Sequence, residues 1–178
     1  LAPEVKLPVI AEDLRDAFAW IGDAGPKLFG ADPTRISVVG HSAGGYLTQL
    51  SGHFIRPRPK ALISYYGYGD IIGAWYSQPD PHYCKEPAVS EDASGKNVDT
   101  PVMTSRPFSK NPKAQFYLWC RQQGRWPIEV GGVDPAKNPD FFTPYSPLLN
   151  VDTHYPPILL LHGDNDTDVP YEQSLMMA

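Results

Sequence analysis

The sequence predicts an α/β domain: a doubly wound, mainly parallel sheet that carries a long proline- and aromatic-rich insertion. Three observations predict it. Apolar runs rich in β-branched or aliphatic residues recur at 36–39, 61–66 and 157–162, each stopped by glycine. Helical periodicity fills the spaces before and after the first of them, and strand, helix, strand is the pattern of a parallel sheet buried on both faces. Between Asp70 and Pro147 that regularity lapses, so residues 70–147 read as an insertion between core strands of one domain spanning 1–178.

Taken in order, the chain first offers Pro8 as an opening helical residue. From Val9 onward, Ile10, Leu14, Phe18 and Ile21 share one face, and Glu12, Asp13, Arg15 and Asp16 the other. This amphipathic helix runs loosely through Lys27-Leu28-Phe29 to a C-cap at Gly30. The turn Asp32-Pro33-Thr34-Arg35 launches the first strand. After Gly40-His41-Ser42-Ala43-Gly44, the positions of Tyr46, Leu47 and Leu50 announce a helix. Ala61 to Tyr66 is the second strand, broken by Gly67-Tyr68-Gly69-Asp70.

The insertion is crowded with prolines (79, 81, 87, 101, 107, 112, 127, 135, 139, 144) and interleaved with aromatic rings such as Trp75, Tyr76, Tyr83, Trp119 and Trp126. Only 113–123 has helical character, and 88–101 is polar and expected to be mobile. The rings either line an apolar substrate pocket or form the insertion's own small core, the second reading being preferred for any single ring. Cys84 and Cys120 are too few for a disulfide framework and lack metal spacing, leaving one bridge or two free thiols open.

Regular structure returns at Pro157–Gly163, a strand ending in a glycine turn. The acidic turn Asp164-Asn165-Asp166-Thr167-Asp168 follows, then a helix from Tyr171. Alternate aspartates invite a calcium-loop reading, but an EF-hand begun at Asp164 needs glycine at 169 and glutamate at 175, where the chain has Val169 and Leu175. Two readings remain: a catalytic carboxylate at the carboxyl end of a core strand, or a solvated turn in which Asp168 caps the next helix.

Gly40-x-Ser42-x-Gly44 between a strand and a helix is the spacing of a nucleophile elbow. Lacking Cβ atoms at 40 and 44, strand and helix approach closely enough to thrust the Ser42 hydroxyl clear of the backbone. The turn also places the Ala43 N–H at a helix N-terminus, positioned to donate to a developing oxyanion. The plainer reading is a glycine-rich turn whose serine caps the helix.

Net charge is −5 without a basic block, which argues against nucleic acid and anionic membrane surfaces as partners. The longest aliphatic run, Ile158 to Leu161, is far too short to span a bilayer, and no signal-peptide pattern is read in these residues. Leu1 is not an initiator methionine, so a leader or upstream segment is expected to be missing. The compartment is open, with the cytoplasm as default, and oligomeric state is equally open.

At these residues the chain resembles the α/β-hydrolase superfamily, and specifically the hormone-sensitive-lipase-like esterases. Leu1-Ala2-Pro3-Glu4 looks like the tail of a Y-R-L-A-P-E segment, and the D-P-x-R-I turn and G-x-S-A-G-G follow as they do there. His162 to Pro170 is similar to the H-G-x-x-D-x-x-V-P segment shared with prolyl-oligopeptidase-like hydrolases. The resemblance covers 1–70 and 146–178 and implies an α/β-hydrolase fold. It implies cleavage of small-molecule carboxylic esters through an acyl-enzyme without a cofactor, with Ser42 as nucleophile, Asp166 as the triad acid and Ala43 in the oxyanion hole. Two departures stand out. The family's H-G-G-G loop would precede Leu1, and no histidine follows Asp166; His53, His82 or His154 would serve as base only in a rearranged order. The expectation is therefore the middle of a longer hydrolase, cut at both ends and nearly inert alone. A prolyl-oligopeptidase-like peptidase and a non-catalytic hydrolase-like binding module are the alternatives.

Overall fold

A computed structural model describes residues 2–97, 113 and 115–178. Pro101, Pro107, Pro112 and the end of the polar stretch 88–101 lie outside the described residues. In chain order the elements are α1 (Leu7–Phe29), β1 (Ser37–His41), α2 (Ala43–Phe54), β2 (Ala61–Tyr65), α3 (Ala74–Ser77), α4 (Phe116–Gln123), α5 (Trp126–Gly131), β3 (Ile158–Leu161) and α6 (Glu172–Met177). They divide between two compact units, 8–71 with 142–178 and 1–7 with 72–141.

The first unit holds a parallel sheet in the order β1-β2-β3. Val38, Leu62 and Ile158 form one row across it, and Gly40, Ser64 and Leu160 the next. This face lies under α2, where Leu62 and Ser64 are fully buried together with Leu50 and Gln49 of the helix. The opposite rows are different. Val39 is 63% exposed, Leu159 53% and Tyr65 41%. The expectation of strands buried on both faces is thus corrected: apolar residues alternate with period two onto a face that nothing among the described residues covers. α1 is helical as expected and ends at Gly30 with φ 68°, but Ile10, Leu14, Phe18 and Ile21 are only half-buried, while Leu7, Ala11 and Gly25 are the buried positions.

The second unit is more helical than its proline content suggests. Beyond α4 it contains α5, entered through Pro127 in the first turn, the short α3 and a 3-10 turn at Tyr83–Lys85. Phe116, Trp119 and Cys120 form its core. The guanidinium of Arg121 is wholly buried, 2.5 Å from Asp80 and 2.8 Å from the Tyr117 hydroxyl, under the rings of Tyr76 and Tyr83 at 4.9 and 4.8 Å. The rings are thus spent on an internal cation and on one another, in line with the reading preferred for them. Lys96 bridges Glu91 and Glu129 at 3.1 and 3.0 Å, and Val89 N–H donates to Gln122. Both cysteines are free thiols; burial pushes the Cys120 thiol far above its usual range.

Candidate active site

Ser42 is the single residue between β1 and α2. Its φ of 53° and ψ of −123° lie where an L residue is strained. The backbone on either side explains why the strain persists. Ser42 N–H donates to Tyr65 O at 3.0 Å, extending the sheet ladder by one bond, while Tyr46 N–H donates to Ser42 O at 3.0 Å, closing the first helical turn. One residue must therefore serve sheet and helix at once. The Ser42 side chain makes no capping hydrogen bond to α2, so the plain capping reading does not describe it. Ser42 is half-buried and Ala43, which opens the helix, is exposed.

The glycines work differently from expectation. A Cβ at Gly40 would collide with the Gly44 carbonyl and lie 2.7 Å from Thr48 Oγ1, so Gly40 does permit the close approach. A Cβ at Gly44 would meet nothing within 4 Å. The second tight position is Gly45, whose Cβ would lie 2.8 Å from Gly67 Cα and 2.9 Å from Tyr65 O. Because helical side chains point back and to one side, a shift of one residue turns the contact from solvent to sheet.

Asp166 follows β3, two strands across from β1, at the same carboxyl edge; two strand spacings correspond to about 10 Å. Its Oδ1 accepts from the N–H groups of Asp168 and Val169 at 2.8 and 3.0 Å, which fixes the turn around it. The following helix, α6, starts at Glu172 with Tyr171 as its N-cap residue. Sequence reasoning placed His162 merely at a strand end. The structure gives it a larger part, with its side chain 1% exposed, Nε2 2.9 Å from Val169 O and Nδ1 2.7 Å from Ser174 Oγ. A single tautomer satisfies both: Nε2–H donates to the carbonyl and Nδ1 accepts from the serine hydroxyl. Asp166 Oδ2 stands 3.5 Å from the same Nε2. The partner Ser174 lies twelve residues away, a separation that carries no periodic signal.

The other histidines lie elsewhere. His53, near the far end of α2, has Nε2 3.0 Å from Pro144 O, and burial lowers its pKa. His41 is exposed with its ring 6.0 Å from Tyr66, itself at φ 38°. His154 N–H donates to Asp152, which is bridged by Arg58 and held by it far below the usual carboxylate range. His82 belongs to the other unit. Among the described residues no helix is long and apolar enough to cross a membrane.

A three-stranded parallel sheet with a strained serine between a strand and the helix that covers it defines an α/β hydrolase fold. The chain belongs to the alpha/beta hydrolase fold family, which matches residues 1–167. It is 27% identical to esterase LipC of Mycobacterium tuberculosis over 98% of this chain and 36% of that protein. It is 30% identical to the versiconal hemiacetal acetate esterase of Dothistroma septosporum over 88% of this chain and 42% of that one. The chain therefore spans less than half the length of these relatives. Among solved structures, a Staphylococcus aureus protein of unknown function superposes with a TM-score of 0.72 at 25% identity, covering 99% of this chain and 60% of that one.

Proposed function

We propose that this chain carries the nucleophile and the orienting acid of a serine hydrolase acting on small-molecule carboxylic esters. The observation that carries the reading is the strained, non-capping Ser42 at the β1–α2 junction, and the esterases among the relatives supply the reaction class. Ser42 Oγ attacks the ester carbonyl carbon as its proton passes to an imidazole. The carbonyl electron pair moves onto oxygen, where the Ala43 N–H donates to it. Collapse of that intermediate expels the alcohol, which takes the proton, and leaves an acyl-Ser42. Water repeats the sequence and releases the acid. Asp166, across the same sheet edge, orients the imidazole and stabilises its charge.

None of the five histidines in the sequence follows Asp166, and His162 is engaged with Ser174 and Val169. The 178-residue chain is therefore expected to be nearly inert, since loss of a triad member costs several orders of magnitude in rate. Insertion 70–147 is read as a cap insertion between core strands. A fluorophosphonate probe tests the reading. In the natural full-length protein it labels Ser42, and Ser42→Ala abolishes both labelling and ester hydrolysis. In the 178-residue chain labelling is weak. A full-length protein that neither labels nor hydrolyses any ester would establish the binding-module reading instead.

A further inference from the structure

The amino-terminal edge of the sheet, opposite to Ser42 and Asp166, carries a groove of about 430 Å³. That volume is within the range of small-molecule sites, roughly 300–1,000 Å³. It lies between α1 and the two segments that lead into β1 and β2, all within one unit. Its apolar floor includes Phe18, Ile36, Ile55 and Pro59. Its rim is cationic, with Arg15, Arg56, Arg58 and Lys60 against a single lining carboxylate, Asp23.

The cations are not equivalent. Arg58 is neutralised by a two-pronged pair with Asp152, at 2.5 and 2.6 Å. Arg56 spends one nitrogen on the carbonyls of His53 and Ile55, which fixes its fork at the rim. Arg15 lies over Phe54, its guanidinium carbon 4.7 Å from the ring centre. Leaving out the Arg58–Asp152 pair, three cations (Arg15, Arg56, Lys60) face one carboxylate, an excess of two positive charges in a chain whose net charge is −5. A strongly hydrated polyanion would forfeit its water against isoleucine, phenylalanine and proline, and a neutral apolar ligand would leave the rim unused. One carboxylate joined to an aliphatic body satisfies both parts, because arginine forks match carboxylate geometry.

We propose that this groove is a second, non-catalytic site that binds an amphipathic carboxylate, with the aliphatic chain on the floor and the carboxylate between Arg15, Arg56 and Lys60. Binding is measured without turnover, so the proposal stands or falls independently of the roles assigned to Ser42 and Asp166. Octanoate is titrated into the protein by calorimetry, with octanol and octylammonium as isosteric controls. Octanoate binds at least about tenfold more tightly than octanol, the value of one charge-assisted contact, and octylammonium more weakly still. Lys60→Glu removes most of the preference for octanoate over octanol. Gly22→Leu serves as the blocking variant. Gly22 lines the groove, and a Cβ there meets nothing within 4 Å, so the new side chain starts in open space and extends into the groove. Leucine is also the better helix former, so the variant melts no lower than the parent while octanoate binding is lost. Equal affinity for octanoate and octanol, unchanged octanoate binding in folded Gly22→Leu, or the lack of any octanoate binding would each overturn the proposal.

Discussion

Replacing Gly44 and Gly45 by alanine, one at a time, is expected to give stability changes of opposite sign at adjacent positions. At Gly45 the added Cβ would sit 2.8, 2.9 and 3.0 Å from Gly67 Cα, Tyr65 O and Gly67 N, all backbone atoms, whereas ordinary contact begins near 3.4 Å. The first turn of α2 must therefore withdraw by about 0.5 Å from the segment after β2. Overpacking of this kind costs about 1–3 kcal/mol. The better helix propensity of alanine returns at most about 1 kcal/mol, so a net loss of about 1–2 kcal/mol is expected. At Gly44 the Cβ enters open space. Only the propensity gain applies there, reduced because the position lies in the first turn, and the expected change is zero to about 0.5 kcal/mol stabilising. Urea denaturation followed by circular dichroism measures both, with the slope m required to stay constant. A Gly44→Ala protein as destabilised as Gly45→Ala, or a Gly45→Ala protein that loses nothing, would refute the argument that Gly45 sets the helix–sheet approach.

Two further outcomes are expected. His162→Phe leaves Ser174 Oγ and Val169 O in need of new partners. A loss of about 2–6 kcal/mol follows at roughly 1–3 kcal/mol per unsatisfied group, read as a lower urea midpoint. The pH dependence centres on His53, whose pKa is lowered chiefly by burial, the Pro144 carbonyl opposing. Its buried Nδ1 also has no hydrogen-bond partner to receive a second N–H. With the folded pKa below the unfolded value of about 6.5, His53 contributes nothing adverse above that pH. As pH falls through 6.5, the unfolded chain takes up the proton first and stability declines until the folded pKa is passed. The urea midpoint therefore drops between pH 7 and 5, and His53→Gln, which keeps a donor for Pro144, flattens the drop; an unchanged slope would remove His53 from the explanation.

The three strands were legible because each is a short apolar run ended by glycine. The turn at Ser42 was legible because a hydroxyl two residues from glycine on either side, between a strand and a helix, is a local pattern. Asp166 was reached through its spacing from His162 and Pro170, and its assigned role rests on that resemblance together with its position at the sheet edge.

Other features depend on groups that are distant in sequence. Alternation of Val38 with Val39 and Leu160 with Leu159 does not say which faces are covered; packing under α2 buries one face and leaves Val39 and Leu159 exposed. Gly45 rather than Gly44 contacts the sheet because the rotation of α2 is set by its packing, which no spacing of glycines encodes. Arg121 draws Asp80 from 41 residues away and Tyr76 and Tyr83 from 45 and 38 residues away, so its burial is invisible until those partners converge. The sequence by itself determined which segments become strands and where the chain must turn sharply, since those depend on neighbours along the chain. Tertiary structure decided which faces, rotations and ion partners are used, since those depend on contacts whose free energy exists only after distant segments meet.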